Sequence, residues 1–230
     1  MDGSTWRRYR LVTFRGDEPP FFLEPDNPGD WPQHFAAAGF DVLSRYCSTR
    51  LDDLGAGDAR MPQALQRLSR AGVTIRPIDL SRFEEELRQV HTLSLDAFAG
   101  NFLYTPIRCE QFLAMYRPLR EHLRRETVLL AEQAGELLGF VFGIPDLAQA
   151  QRGEAVDTII IKTVAVRPGV RLAAGLGSIL VDQCQQAAKR LGMGRAIHAL
   201  MHENNRSRQI ARGGGRLIRE YALFARRLTP

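Results

Sequence analysis

The stretch that decides the fold is VAVRPGVRLAAGLGS, residues 164–178. The alternating β-branched residues before Pro168 predict the end of a strand, and the glycine-containing second half predicts the start of a helix. A strand, a glycine turn and a helix N-terminus together form an anion site, because the first backbone N–H groups of the helix are free and the helix dipole is positive there. The amides predicted to bind a phosphate are those of Gly175, Leu176, Gly177 and Ser178.

The same stretch lacks the two best-known phosphate-binding motifs. No Gly-Lys-Ser or Gly-Lys-Thr follows the glycines, so it is not a Walker A loop, and its spacing is not the GxGxxG of a Rossmann dinucleotide site. A purely structural interpretation stays open, in which Gly175 and Gly177 only permit close packing of the helix on the strand.

Outward from this stretch, strands and helices alternate along the chain from Gly72 onward. The predicted strands are 73–78, 127–132, 137–144, 157–166, 196–201 and 217–226. The predicted helices are 83–99, 109–124, 178–191 and about 205–212. A β-hairpin at 127–144 interrupts the alternation, so the pattern predicts a mixed α/β fold on a mixed sheet and not a doubly wound parallel one.

The first 70 residues form a shorter region of their own. The elements predicted in it are strands at 10–15 and 41–48, a return strand at 21–23 and a helix at 31–38. A polar helix or linker follows from about residue 51 to residue 70, with few apolar stripes. The sequence therefore predicts two regions, residues 1–70 and residues 71–230.

Composition excludes several classes of protein. Of the 230 residues, 44% are hydrophobic and 25% are charged, which excludes a disordered chain. No apolar run approaches the roughly 18 residues of a membrane helix, and the N-terminus has no apolar signal segment, so a cytoplasmic protein without a membrane partner is expected. The three cysteines are far apart and form neither a disulfide framework nor a CxxC motif.

The chain is basic, with 31 lysines and arginines against 26 acidic residues and a net charge of +5. Lys162 and Lys189 are the two lysines, so arginine supplies the rest. Arginine binds phosphate and carboxylate in a bidentate manner, so the excess is consistent with an anionic partner, although a compositional bias toward arginine is the simpler explanation of the bulk of it. No helix-turn-helix, zinc or RNP signature accompanies the charge, so nucleic acid is not an expected partner.

The order of elements and the strand–loop–helix of residues 164–178 resemble the GNAT (GCN5-related N-acetyltransferase) superfamily. The motif of that family, Q/R-x-x-G-x-G/A, cradles the pyrophosphate of acetyl-CoA. Gly175 and Gly177 match its two small positions, whereas Leu172 stands at the Q/R position and Arg171 lies one residue early.

Further along the chain, Asn205 matches an asparagine at the start of a second CoA-contacting helix of the family. The resemblance covers about residues 73–228. It implies the GNAT acyl-CoA N-acyltransferase fold, α+β, with a central mixed, mostly antiparallel sheet flanked by helices.

A narrower resemblance is to the second lobe of bacterial tandem GNAT-like proteins. The segments NFLYTP, residues 101–106, and AEQAGELLGFVFGIPD, residues 131–146, are similar to parts of that lobe. On this comparison, residues 10–48 resemble the end of a preceding lobe whose earlier parts are missing. The alternative is a short N-terminal extension that packs on the sheet.

The resemblance implies acetyl-CoA as co-substrate and no metal. The strand of residues 162–166 is expected to diverge from the strand of 196–201 and to receive the pantetheine on its backbone. The residues expected to bind the cofactor are Val164, Ala165, Val166, Arg171, Gly175, Leu176, Gly177, Ser178 and Asn205.

The usual acid and base of the family are not matched. Lys162 and Thr163 stand where these enzymes often carry a glutamate on the fourth strand, and ARGGG at 211–215 offers no tyrosine to protonate the thiolate. The candidates for catalytic roles are Asn205, Glu132 and Tyr104, with His91 and His202 as further acid–base groups. Water is an alternative for either role.

The predicted function is acyl-CoA-dependent N-acyl transfer, with acetyl as the simplest donor group. The acceptor is a small-molecule or peptide amine that attacks the thioester directly, and a homodimer is an allowed assembly. The alternative is a catalytically degenerate sensor or scaffold that binds acyl-CoA.

Overall fold

A computed structural model describes residues 6–55, 59–170, 175–204 and 215–228 of the chain. Within these residues the strands are β1 (Arg10–Arg15), β2 (Asp41–Leu51), β3 (Val73–Pro77), β4 (Val128–Gln133), β5 (Glu136–Pro145), β6 (Thr158–Val166), β7 (Arg195–His202) and β8 (Arg216–Ala225). The helices are α1 (Trp31–Ala37), α2 (Met61–Arg70), α3 (Phe83–Phe98), α4 (Cys109–Tyr116), α5 (Leu147–Gln151) and α6 (Leu176–Arg190). Short 3-10 helices cover Leu80–Arg82, Arg117–His122 and Arg125–Thr127.

The eight strands form one sheet in the order β1-β8-β2-β7-β6-β5-β4-β3. Neighbouring strands are antiparallel except for β6 and β7, which are parallel. Helices flank the sheet on both faces, so the predicted mixed, mostly antiparallel α+β fold is confirmed.

The sheet crosses the predicted boundary near residue 70. The second strand of the N-terminal region, β2, lies between β7 and β8. Tyr46 of β2 is opposite His202 on one side and opposite Tyr221 on the other. The division into two regions stays a prediction, and the strands of both regions share hydrogen-bonded ladders.

Each face of the sheet has its own apolar core. One core joins α3 and α4 to the sheet through buried residues such as Leu87, Leu113 and Phe140. The other joins α2 and α6 to the sheet through Leu68, Leu180 and their neighbours. Burial of each such side chain contributes about 1.5–3 kcal/mol, so these two layers hold the helices against the strands. In the part of the chain described, no helix has the length and apolarity needed to cross a bilayer.

A buried ion pair connects the N-terminal loop to the last strand. Glu24 and Arg219 are both almost fully buried, with Oε1 of Glu24 3.1 Å from Nε of Arg219. The hydroxyl of Tyr221 donates to the same Oε1 atom at 2.6 Å. Since an unpaired buried charge is costly, this group of three residues fixes the loop against β8.

The periodicity predicted most elements within a few residues of their observed bounds, and the differences have local causes. The segment 21–23 forms a turn in which Leu23 has a φ of 63°, and it does not return as a strand. The predicted helix 109–124 ends as an α-helix at Tyr116, and a 3-10 helix with Pro118 in its first turn continues it. The predicted helix near 205–212 lies outside the described residues.

Candidate active site

The parallel strands β6 and β7 pair over only part of their length. Their ladder runs from Thr158 opposite Arg195 to Ile161 opposite His198, and both strands continue beyond it to Val166 and His202. The predicted divergence of these strands is therefore observed. We call the space between the two strand ends the β6–β7 opening.

A bulge stands in each strand at the start of the β6–β7 opening. In β6, Lys162 is an extra residue between Ile161 and Thr163, which are opposite consecutive residues of β5. In β7, two residues, 199 and 200, are opposite the single residue Ser48 of β2. Bulges bend a strand and re-aim its side chains, so these two account for the divergence.

The backbone of β6 beyond the bulge presents its hydrogen-bonding groups to the opening. The N–H of Arg167 donates to the carbonyl of Leu138 on β5 at 2.7 Å. Because the N–H and C=O groups of successive strand residues point to opposite sides, those of Val164 and Val166 point away from β5 and toward β7. Ala165 between them is buried and faces the α3 side of the sheet.

The N-terminus of α6 lies just past this strand in the chain. Gly175 is the N-cap, with a φ of 84°, a left-handed conformation that favours glycine. The first helical hydrogen bond at this end is donated by the N–H of Ile179 to the carbonyl of Gly175. The amides of residues 176–178 therefore precede the hydrogen-bonded helix and are available as donors. Leu176 is buried against the sheet, and Gly177 and Ser178 are half-buried.

Two predicted cofactor residues lie outside the described residues, namely Arg171 and Asn205. Arg167, which borders the same turn, directs its guanidinium to the carbonyl of Leu137 at 3.0 Å and so ties the end of β6 to β5. Across the residues described, no group of three or more His, Cys, Asp or Glu side chains has the arrangement of a metal site.

Glu132 does not lie at the β6–β7 opening. It is on β4, which β5 separates from β6, and it forms an ion pair with Arg76 at 2.5 Å. Arg76 also contacts the buried Glu86 of α3 at 3.1 Å. These contacts engage Glu132 in holding α3 to the edge of the sheet.

Tyr104 lies in the loop after α3, within an aromatic cluster. The ring of Trp6 contacts it at a centroid distance of 6.3 Å and also packs on Phe112 at 5.6 Å. Burial raises the pKa of Tyr104 above its usual value, which makes its hydroxyl a weaker acid. The structure does not bring Tyr104 and Glu132 together.

Lys162 lies on the α3 side of the opening and is covered by the N-terminal loop. Its Nζ atom donates to the carbonyl of Leu23 at 3.3 Å. Burial, together with the charges of Arg8 and Arg10, lowers the pKa of Lys162 to about 8, and the charge of Glu24 acts in the opposite direction. A lysine near its pKa at neutral to mildly basic pH is a chemically useful group.

His202 ends β7 on the same side of the opening. Its ring packs on Tyr46 at 5.0 Å and on Phe102 at 5.7 Å. Its Nδ1 atom accepts the N–H of Asn204 at 3.1 Å, so Nε2 carries the proton and donates to Ser44 Oγ at 2.8 Å. Burial lowers the pKa of His202, which favours this neutral form.

The N-terminal residues at this site were not predicted from the sequence. Trp6, Arg10 and Leu23 reach it because β1 and β2 belong to the same sheet, and Arg10 stacks on Tyr46 at 4.3 Å. The apolar run Phe21–Leu23 between prolines and Glu24 was the one local signal of a buried loop.

The comparisons with solved structures find the same fold. A GCN5-related N-acetyltransferase from Sphaerobacter thermophilus matches with a TM-score of 0.60 and 18% identity, over 86% of this chain and 56% of that chain. A tandem GNAT protein from the clavulanic acid biosynthesis pathway matches with a TM-score of 0.55 and 15% identity, over 91% and 62%. The chain thus spans less than two thirds of either protein.

Among curated proteins, the bacterial ceramide synthase of Caulobacter vibrioides is 22% identical over 140 residues. These residues cover 61% of this chain and 36% of the relative, so the chain spans about a third of that protein.

The family of the chain is shown by its sequence, and the mostly antiparallel sheet is the fold of that family. A profile of the acetyltransferase (GNAT) family matches residues 87–213, which include β6, the glycine turn and α6. The match covers more than half of the 230 residues. The chain therefore belongs to the acetyltransferase (GNAT) family.

Proposed function

We propose that the chain is an acyl-CoA-dependent N-acyltransferase that moves an acetyl group from acetyl-CoA to an amine of a small molecule or peptide. The observation that carries this proposal is the alignment of two features at the β6–β7 opening. The backbone groups of Val164 and Val166 face the opening, and the free amides of α6 follow them in the chain. An extended amide chain with phosphates at one end suits both features.

In this proposal the pantetheine amides pair with Val164 and Val166 as a further strand would. The amides of Gly175, Leu176, Gly177 and Ser178 bind the pyrophosphate, and Arg171 and Asn205 contribute to the cofactor site from outside the described residues. The phosphates then lie at the α6 end and the acyl group lies toward the two bulges.

The reaction is direct attack of the acceptor nitrogen on the thioester carbonyl. Holding both reactants supplies much of the rate, and a backbone N–H near the bulge stabilises the oxygen on which negative charge develops. Because α6 covers the other face of the sheet, the acceptor approaches from the α3 side, where Lys162, Tyr46 and His202 lie.

The experiment that tests the cofactor site is thermal unfolding with CoA and acetyl-CoA. A ligand at 100 times its Kd stabilises the folded chain by about 2.7 kcal/mol, which raises the Tm of a chain of this size by about 5–10 °C. Gly177→Asp is expected to lose this shift, because it adds a side chain and a negative charge at the helix N-terminus. Gly29→Asp, in open space on an exposed loop, is the matched control and is expected to keep it.

Two results would contradict this proposal. If neither CoA nor acetyl-CoA at millimolar concentration raises the Tm, the chain has no acyl-CoA site and the proposal fails. If Gly177→Asp keeps the full shift, the assignment of the phosphate site to the α6 turn is wrong.

A second candidate function is an acyl-CoA-binding scaffold without turnover. Two observations favour it: Glu132 is engaged by Arg76 away from the opening, and burial makes Tyr104 a weaker acid. Thiol release from acetyl-CoA across a panel of amines separates the two. Because one relative is named a ceramide synthase, the same amines are also tested with a long-chain acyl-CoA as a second donor. Stabilisation by CoA without thiol release from either donor supports the scaffold.

A further inference from the structure

Lys162, which carries a primary amine, lies where the β6–β7 opening begins. Lys162 is the bulged residue directly after Ile161, the last residue of β6 that pairs with β7. A strand rises about 3.3 Å per residue, so Lys162 lies about 6.6 Å from Val164, on the side away from the α6 turn. A cofactor whose phosphates lie at α6 and whose amides pair with Val166 and Val164 therefore brings its acyl group to the level of Lys162.

The surroundings of Lys162 leave its nitrogen a nucleophile. The Nζ atom donates one hydrogen bond to the carbonyl of Leu23, and no carboxylate in the described ranges is within ion-pair distance of it. Arg8 and Arg10 disfavour a further positive charge, and Glu24 favours one. Glu24 is itself held by Arg219 and Tyr221, so its charge is shared with two other groups.

These features together satisfy the requirements of aminolysis. An amine that donates one N–H to a carbonyl keeps its lone pair, and an unprotonated amine attacks a thioester without a separate base. Burial and the two arginines lower the pKa of Lys162 to about 8, so about half of the Lys162 side chains carry a neutral amine at pH 8.

We propose that Lys162 is a self-acylation site of this chain, which accepts an acyl group from acyl-CoA bound in the β6–β7 opening; this inference rests on the proposed function. Nζ attacks the thioester carbonyl carbon, a C–N bond forms and the C–S bond breaks. The CoA sulfur leaves and, as the thiol, carries the proton that the amine loses. The product is an amide, which replaces a cation on the acceptor side of the opening with a neutral group.

The chain contains its own control for this proposal. Lys162 and Lys189 are the two lysines of the sequence. Lys189 is exposed near the C-terminal end of α6, where its Nζ atom donates to the carbonyl of Gly55 at 2.6 Å. Lys189 is thus a lysine of the same chain at the end of α6 opposite the proposed cofactor turn.

The test is incubation of the full chain with acetyl-CoA, followed by peptide mass spectrometry over time. The expected result is one acetyl group on Lys162, at a rate that saturates with acetyl-CoA and exceeds the rate at Lys189 at least tenfold. The rate is expected to rise about fivefold from pH 7 to pH 8 and less than twofold from pH 8 to pH 9, as neutral amine accumulates around a pKa of about 8. The charged neighbours that enter this profile are Arg8, Arg10 and Glu24.

Two variants and one reagent complete the experiment. Gly177→Asp is expected to slow acetylation of Lys162 by acetyl-CoA to the rate at Lys189, while acetic anhydride still modifies Lys162 in both proteins. Lys162→Arg is expected to acquire no acetyl group at this position and to keep the thermal shift with CoA. Acetylation of Lys162 that is absent, or no faster than that of Lys189, overturns self-acylation. If CoA nevertheless raises the Tm, the proposed function stands without it, whereas absence of the thermal shift removes both.

Discussion

His198 is a buried histidine that folding keeps neutral. It is the last residue of β7 that pairs with β6, and Gln185 of α6 contacts its Nε2 atom at 3.0 Å. Burial lowers the pKa of His198 to about 4, whereas an unfolded histidine titrates near 6.5. Between these two values the unfolded chain binds the proton and the folded chain does not, so acid favours unfolding.

The expected consequence is a loss of about 2 kcal/mol in the free energy of unfolding between pH 7 and pH 5, from this residue alone. The loss begins as the pH falls below about 6.5 and continues until about pH 4. His198→Gln removes the titration, so its own stability is expected to fall by about 2 kcal/mol less over that interval. Urea unfolding at both pH values measures this, with exposed His34→Gln as the matched control. Equal acid sensitivity of His198→Gln and the parent chain would contradict it.

At single residues, the sequence predicted the elements that carry backbone groups more readily than the surroundings of a side chain. The glycine turn between β6 and α6 follows from local pattern, and the backbone groups of Val164 and Val166 point away from β5, as a cofactor strand would require. The surroundings of Lys162 depend instead on Leu23 and Arg10, which are more than 130 residues away in the chain. The spacing of apolar residues along the chain cannot predict such contacts, because they form only when β1 and β2 join the sheet.

Among the helices, α6 is held to the sheet by a close approach at Gly143 of β5. A Cβ atom added at Gly143 would lie 2.5 Å from Cys184 Sγ of α6 and 2.8 Å from the carbonyl oxygen of Thr127. The same thiol donates to that carbonyl at 3.2 Å, and Cys184 is fully buried. The position of the α6 N-terminus relative to β6 therefore depends on a glycine that is not among the predicted site residues.

Gly143→Ala is expected to destabilise the chain by about 1–3 kcal/mol, because the added methyl group forces α6 or the 3-10 helix at Arg125–Thr127 to move. Chemical unfolding measures the loss, and Gly194→Ala is the control, since a Cβ atom there has nothing within 4 Å. A displaced α6 should also weaken binding of CoA in the thermal assay. Equal stability of the two variants would mean that the packing at Gly143 adapts without cost.

The types of the elements were largely predictable, and their order in the sheet was not. Alternation and 3.6-residue spacing depend on neighbours in the chain, so the hairpin β4–β5 and the helix α6 emerge within a few residues of their predicted bounds. The position of β2 between β7 and β8 is set by pairing across about 150 residues. Local pattern contains no information on such a pairing, which is why the N-terminal residues of the site were missed.

For the molecule as a whole, the position of β2 determines whether residues 71–230 can fold alone. Without residues 1–70, β8 loses both of its partners, β1 and β2, and β7 keeps only its short parallel ladder with β6. The same truncation removes Glu24, and Arg219 is then a buried charge without its ion pair. We therefore expect residues 71–230, expressed alone, to lack a cooperative thermal transition, because the total stability of a domain is only about 5–15 kcal/mol.

Far-UV circular dichroism during heating measures this, with the full chain as reference. Residues 1–70 supplied as a separate chain during refolding are the matched control, since they return β1, β2 and Glu24 without the covalent link. Recovery of the transition by the two pieces together, and not by either alone, is the expected result. A cooperative transition of residues 71–230 alone, at the Tm of the full chain, would show that β2 is an addition to an independent domain and that the boundary near residue 70 is also a boundary of stability.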